Sequence, residues 1–466
     1  MSQYGPGIVA VQVSNRRDGL AKTDGLAFRD AMDSAAIEDA AAKHCPNSRD
    51  RIFSPLVTLF AFTSQAMSAD HSCREAVARV NADRIAIGLD PASADTGAYC
   101  AARLRLPEAL IKDLAKLQGK TLEDKVPDTW RWKDRDVKVG DGATFTMADT
   151  SANQDEFPQT STQGDGIGFP ISRIVFIFSL VTGAILDLAF GAYKGKETGE
   201  HALLREMLSA FKRGDVFLAD AYYSSYFLIA GLVQLGVDVV FHADGRRPKD
   251  FRSGQRLGHY DHLLTWKKPV RPDWMSEEAY ASMPDTIVVR QCRVLVNIPG
   301  FRTRSITIVT TMTDPKIVAR LELGDLYRRR WLAELFVRAM KETLQMDHLR
   351  CKTPEMVAKE VWVHALAYNI IRKIMAQAAH RKGLRPLQVS FKGVIQTITS
   401  YRCLFVVPSG LDKVKVMEHL LDAVAEHIVG DRPNRFEPRA VKRRPKPYPR
   451  LMVRRGLARA RLVRRG

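Results

Sequence analysis

The sequence predicts a mixed α/β protein with a helical N-terminal segment, and three observations carry that reading. Residues 1 to about 128 place apolar side chains at helical spacing. Residues 129–244 alternate short apolar strands with helices, and residues 245–312 turn strand-rich before helices resume. A chain of 466 residues, 45% apolar and 26% charged, is long enough for two to four domains and can bury a sizeable core.

The N-terminal helices are announced by "SPLVTLFAFTSQAM", "SCREAVARVN" and "PEALIKDLAKLQ", with Ser54, Ser72 and Pro107 as helix starts. Arg74, Arg79, Arg84, Arg103 and Arg105 in this region could meet DNA or could belong to an ordinary helical domain. Strands follow in "VKVGDGATFTM", "ISRIVFIFSL" and "AILDLAFGAYK". A helix opened by Glu197 or Thr198 and closed by Gly214 comes next. Then come the strand "VFLAD", a helix from Ser224 to Leu235 ended by Gly236, and the strand "VDVVFHAD", giving the order β-β-β-α-β-α-β. The apolar run from Ile171 is nearly long enough to span a membrane. Arg173, Asp187 and the Thr182-Gly183 break, with many β-branched residues, make it a hairpin instead.

Charge points to the partner. The net charge is +19 and the isoelectric point about 9.7, which favours a polyanion, nucleic acid first and an anionic membrane second. A net +12 sits in the last 36 positions, in a Pro- and Arg-rich tail suited to phosphate contact. Cys45, Cys73, Cys100, Cys292, Cys351 and Cys403 are scattered, with no CxxC pair and no zinc-finger spacing, so they read as reduced thiols of a cytoplasmic protein. The first residues lack a signal peptide's charged and apolar regions.

The chemistry lies in "DLYRRRWLAELFVRAMKETLQMDHL" (325–349). On one continuous helix Tyr327, Arg330, Glu334, Arg338 and Lys341 fall within roughly 80° of one another and form an outward stripe. Leu332, Leu335, Phe336, Ala339 and Met340 form an apolar back. A plain solvated face would pair Glu334 with Arg330 and Arg338. A carboxylate amid cations also describes a metal ligand ringed by phosphate-binding groups. Asp220 ends the strand "VFLAD", and Asp141 is read as ending the strand "VKVGD", so both sit where open α/β sheets place ligands. Three carboxylates without His or Cys make a hard-oxygen site for Mg²⁺ or Mn²⁺, suited to two-ion phosphoryl transfer with carboxylates roughly 4–8 Å apart. Asp149 is the reserve for Asp141.

At these residues a resemblance emerges. Tyr327, Arg330, Glu334 and Lys341, at their spacing, resemble the YREK signature of the insertion-sequence-four family of DDE transposases. "DGATFTMADT", "GDVFLADAYY" and the tail "PNRFEPRAVKRRPKPYP" are similar to that family's catalytic region and tail, and the likeness runs from about Ser54 to Pro449. Ala143 stands where relatives usually carry Thr, and Ala221 where many carry Arg. The resemblance implies an RNase H-like core with Asp141, Asp220 and Glu334 as a catalytic, two-metal triad, while Tyr327, Arg330 and Lys341 hold DNA phosphates. It implies a divided core at 129–244 and 313–405, a β-rich insertion at 245–312, a DNA-end-binding N-terminal domain at 1–128, and a C-terminal helix and basic tail at 406–466. It also implies cut-and-paste transposition through cleavage, hairpin formation and strand transfer. The expected partners are double-stranded DNA, at the element's terminal inverted repeats and the target, and a second copy of the chain in the DNA complex. No membrane is involved, and the expected location is the cytoplasm at the nucleoid. Trp266 or Trp274 would stack on a flipped base. A nuclease without strand transfer and an inactive DNA-binding relic are the alternatives.

Overall fold

The computed structural model describes Met32 and residues 34–48, 51–162, 164–247, 250–295, 305–406, 413–430 and 451–464. Among the described residues, five α-helices precede the sheet: α1 (Ser34–His44), α2 (Pro55–Met67), α3 (Cys73–Ala86), α4 (Gly97–Arg105) and α5 (Glu108–Asp124). The starts read from the sequence hold. The Ser54 hydroxyl accepts the Val57 amide, the Ser72 hydroxyl accepts the Glu75 amide at 3.1 Å, and α5 begins directly after Pro107. Helices α1 and α4 escaped the sequence reading.

Next come β1 (Val137–Met147), α6 (Ser151–Glu156), β2 (Ile171–Ser179), β3 (Ile185–Ala192), α7 (Glu200–Glu206), β4 (Val216–Ala219), α8 (Tyr226–Gln234) and β5 (Asp238–His242). Apart from the short α6, this is the predicted order of elements. The strands lie in the order 3-2-1-4-5, with β2 antiparallel to both neighbours and β1, β4 and β5 parallel. The apolar run from Ile171 is the β2–β3 hairpin, turning at Gly183 with φ +71°. Among the described residues no helix is long and apolar enough to cross a membrane.

The strand-rich segment extends this same sheet. Strands β6 (Gln255–Gly258), β7 (Asp261–Lys267), β8 (Thr286–Leu295) and β9 (Ser305–Thr310) join through an antiparallel β9–β5 pairing, and α9 (Glu277–Ser282) lies between β7 and β8. Arg290, fully buried, forks onto Asp261 at 2.8 and 2.6 Å and donates to the Val318 carbonyl at 2.7 Å. This contact fixes the added strands to the chain that enters the glutamate-bearing segment.

That segment is not one helix. It runs as α10 (Arg320–Arg328), a 3₁₀ turn (Arg329–Trp331), α11 (Leu332–Arg338) and a π turn (Ala339–Thr343). A two-residue strand, β10 (His348–Leu349), pairs with β1. Helices α12 (Pro354–Arg381), α13 (Phe391–Val406), α14 (Lys413–Ala425) and α15 (Arg455–Val463) complete the described chain. Residues 431–450, most of the basic tail, lie outside the described residues.

One apolar core joins these parts. It runs from Phe60 and Leu114 of the N-terminal helices, through Val139 and Phe176 of the sheet, to Phe336 of α11 and Leu366 of α12. The N-terminal helices are also tied to the core by polar contacts from Arg103 to the Cys351 thiol at 3.1 Å, Lys359 to the Leu104 carbonyl at 2.8 Å, and Arg350 to the Asp70 carbonyl at 2.6 Å.

Candidate active site

Strand register places the first two acids. Parallel β1 and β4 pair from Val137 opposite Val216 to Val139 opposite Leu218. Continuing that register by two residues brings Asp141 level with Asp220, just past the last paired residues. Asp141 is not at a strand end as expected, because β1 continues to Met147 along its antiparallel partner β2, where Asp141 faces Phe176. It lies just past the point where the parallel ladder with β4 stops. Asp220 does follow its strand directly, and its carboxylate caps the next turn by accepting the Tyr222 amide at 2.8 Å.

The third acid comes from α11. Phe336 behind it packs on Phe178 of β2 with ring centroids 5.3 Å apart, and Ala333 and Met340 are buried. That packing turns Glu334 outward, with its side chain 62% exposed and paired to Arg330 at 2.7 Å. Of the two pairings a plain solvated face would make, the described contacts contain the one with Arg330, while Arg338 pairs with Glu342. The 3₁₀ turn at 329–331 breaks the wheel phase, so the continuous stripe dissolves. Tyr327 is buried, not outward, and Leu335 is exposed.

Asp220, Glu334 and Arg330 all act on the charge of Asp141. Burial pushes the Asp141 carboxyl up to about 6; Asp220 and Glu334 add repulsion, and Arg330 opposes the shift. Burial, with the nearby acids Asp220 and Glu334, pushes the Tyr327 phenol up to about 12 against the pull of Arg330. Arg330 therefore sits among Tyr327, Asp141 and Glu334, which keep its charge in place despite burial. Lys341 is drawn further along β1, donating to the Thr144 carbonyl at 3.0 Å and pairing with Asp347 at 2.9 Å. It clamps the π turn to the strand that carries Asp141. Asp149 lies past the end of β1, where it accepts a hydrogen bond from Gln154 at 2.9 Å.

Among the described residues, no three His, Cys, Asp or Glu side chains are spaced to hold a metal ion. The donor set still suits a hard divalent cation: it is all oxygen, and the Asp141 carboxyl, raised first by burial and then by its acidic neighbours, is one whose charge a cation would favour. The Arg330–Glu334 pair that holds the third acid aside is largely exposed at the glutamate, and such pairs contribute only about 0–1 kcal/mol. Turning Glu334 toward the two aspartates therefore costs little. Because Asp141 must lose its proton to bind a cation, Mn²⁺ affinity is expected to climb between pH 5 and 7 and then level off. A flat affinity over that window would contradict the Asp141 assignment. In the metal-free protein the same raised pKa makes this group's contribution to stability fall as the pH rises from about 4 to about 6.

Two neighbours were invisible in the sequence. Glu200 opens α7, and Tyr223 follows Asp220 in the capped turn. The Tyr223 hydroxyl donates to Glu200 at 2.9 Å. The helix was expected to open at Glu197 or Thr198, which hid Glu200 inside it. Of the two tryptophans, Trp266 is buried beneath Arg247, whereas Trp274 is 39% exposed with Arg205 stacked on it at 3.8 Å.

Comparison with known proteins adds independent findings. The family described as Transposase DDE domain matches residues 132–370. The Transposase InsG for insertion sequence element IS4 of Escherichia coli (strain K12) is 28% identical over 319 residues, covering 66% of this chain and 68% of that protein. A solved piggyBac transposase synaptic complex with hairpin DNA aligns over 86% of this chain and 85% of its own at 10% identity and a TM-score of 0.43.

Proposed function

The chain belongs to the transposase DDE-domain family, and on that premise we propose that Asp141, Asp220 and Glu334 form its catalytic triad. The protein is an insertion-sequence transposase of the type that acts by DNA cleavage and joining. The observation that supports the triad is the β1–β4 register, whose continuation by two residues brings Asp141 level with Asp220, together with the pull of Arg330 and the repulsion of Glu334 on Asp141. The strand order 3-2-1-4-5 with β2 antiparallel supports an RNase H-like core. On this reading residues 129–244 and 313–405 are the halves of that core, 245–312 is an insertion that lengthens its sheet, and 1–128 binds the element end.

Two Mg²⁺ or Mn²⁺ ions at this site would activate the attacking oxygen and stabilise the leaving oxygen in an in-line displacement. The side chains divide the remaining work. Asp141 and Asp220 supply fixed oxygens from the rigid sheet, and Glu334 closes from α11. Arg330, released from Glu334, offers its fork to a phosphate oxygen, where a fixed cation stabilises developing charge. The buried Tyr327 hydroxyl orients Arg330, and Lys341 keeps the helix seated on β1 near the DNA backbone. The DNA partners proposed are the terminal inverted repeats and a target duplex, with two copies of the chain in the complex. The protein acts in the cytoplasm at the nucleoid, and Trp274 is the tryptophan placed to meet a base.

A strand-transfer assay with pre-cleaved ends in Mg²⁺ separates this reading from a nuclease on the same core. Joined products are expected, while cutting without joining would favour the nuclease. The tail from Arg432 onward contributes affinity rather than sequence choice, because phosphate contacts carry little sequence information. Its removal should flatten the slope of log affinity against log salt by roughly 0.9 for each DNA phosphate it had neutralised. An unchanged slope with altered end preference would place the tail in the recognition apparatus instead.

A further inference from the structure

We propose that Glu200 is a fourth carboxylate of the divalent-cation site, held against the Asp141–Asp220 edge by the Tyr223 hydroxyl; this rests on the metal-site reading above.

Three observations converge on it. First, the carboxylate is braced from the Asp220 side. Tyr223 is 1% exposed and sits three residues after Asp220, so its hydroxyl is a fixed post, and it donates to Glu200 Oε2 at 2.9 Å. Second, the carboxylate lies on the backbone beside Asp141. A Cβ placed on Gly142 would stand 2.5 Å from Glu200 Cδ and 2.6 and 2.8 Å from its oxygens. Gly142 is not among the glycines with positive φ, so its backbone does not call for glycine. The close approach of Glu200 does.

Third, no ion pair to Glu200 is among the described contacts. Arg205, on the same helix, pairs instead with Glu197 at 2.7 Å and lies over Trp274. The one described hydrogen bond to the Glu200 carboxylate comes from a neutral phenol. A carboxylate that lies against the backbone next to Asp141 and is held by a neutral donor keeps its charge available to a cation.

Charge balance favours the same assignment. Two divalent ions bring four positive charges, whereas Asp141, Asp220 and Glu334 supply three negative ones, with Glu334 also facing Arg330. Glu200 brings the fourth. It enters from the flank opposite α11, so it would complete the aspartate side of the site without competing for the position of Glu334. The remaining possibility is that Glu200 merely ties α7 to the turn after Asp220.

The test is Mn²⁺ binding to the full-length protein, read from the electron paramagnetic resonance signal of the free ion, with thermal unfolding in the absence of metal as the control. Glu200→Gln keeps size and hydrogen bonding but removes the charge; it is expected to weaken Mn²⁺ binding by about 10- to 100-fold. Tyr223→Phe removes only the brace and should weaken binding by about tenfold. Gly142→Ala drives the carboxylate away and should resemble Glu200→Gln. If Asp141→Asn loses Mn²⁺ while Glu200→Gln and Tyr223→Phe bind it as the parent does, Glu200 is only a brace and the inference fails with the triad intact. If Asp141→Asn itself binds Mn²⁺ normally, the metal-site reading fails and takes the inference with it. Should Glu200→Gln unfold, Tyr223→Phe decides alone, since it leaves every carboxylate in place.

Discussion

A Glu334→Gln protein is expected to bind element ends as the parent does and to cleave them about a thousand-fold more slowly or worse in Mg²⁺, the upper scale for loss of one group that acts on transition-state charge. The substitution keeps the shape of the side chain and removes its charge. Because Glu334 is 62% exposed and its described partner is Arg330, the fold loses at most a surface ion pair of about 0–1 kcal/mol. Arg330 is freed for phosphate, so binding without metal should hold or tighten slightly. Gel-shift affinity and single-turnover cleavage measured on the same preparation check both halves. Cleavage within tenfold of the parent would remove Glu334 from the triad.

The second large effect is structural. Asp261→Ala is expected to destabilise the protein by about 3–5 kcal/mol, because it strands the buried Arg290 guanidinium without its carboxylate. Arg290 also holds the Val318 carbonyl, just ahead of α10. The loss should therefore loosen the strands after β5 and the approach to Glu334 together. Chemical denaturation would measure it. Replacing Asp261 and Arg290 together with apolar residues should recover most of the loss, since the penalty lies in the unpaired charge. A single-variant effect below about 1 kcal/mol would show that water or another group reaches Arg290.

The sequence made the periodic elements legible and left the special geometries hidden. Ser54 and Ser72 announced their helices because a hydroxyl cap is a local device, complete within four residues. The β2–β3 hairpin could be read because Thr182-Gly183 breaks an apolar run with strand composition. Asp220 could be placed because its strand is short and ends at the acid. Asp141 reads as a strand end, but its strand runs on beside β2 and only the pairing with β4 stops nearby, which no single-strand pattern records. Residues 325–349 do not keep 3.6 residues per turn, so a single helical wheel does not describe them. A 3₁₀ turn and a π turn shift the phase of the side chains after Arg328 relative to the buried Tyr327 before it, and Arg338 pairs with Glu342. Glu200 and Tyr223 meet across 23 residues and two elements, a proximity without local signature.

The most direct test of the central claim, that Asp141, Asp220 and Glu334 together hold the catalytic cations, is anomalous diffraction from Mn²⁺ in crystals of the protein bound to a pre-cleaved element end. The account predicts manganese at the edge beside β1 and β4, with oxygens of all three carboxylates within roughly 2.0–2.6 Å of an ion and Glu334 turned away from Arg330. Manganese held by Asp149 instead of Asp141, or bound while Glu334 remains paired to Arg330, would contradict it.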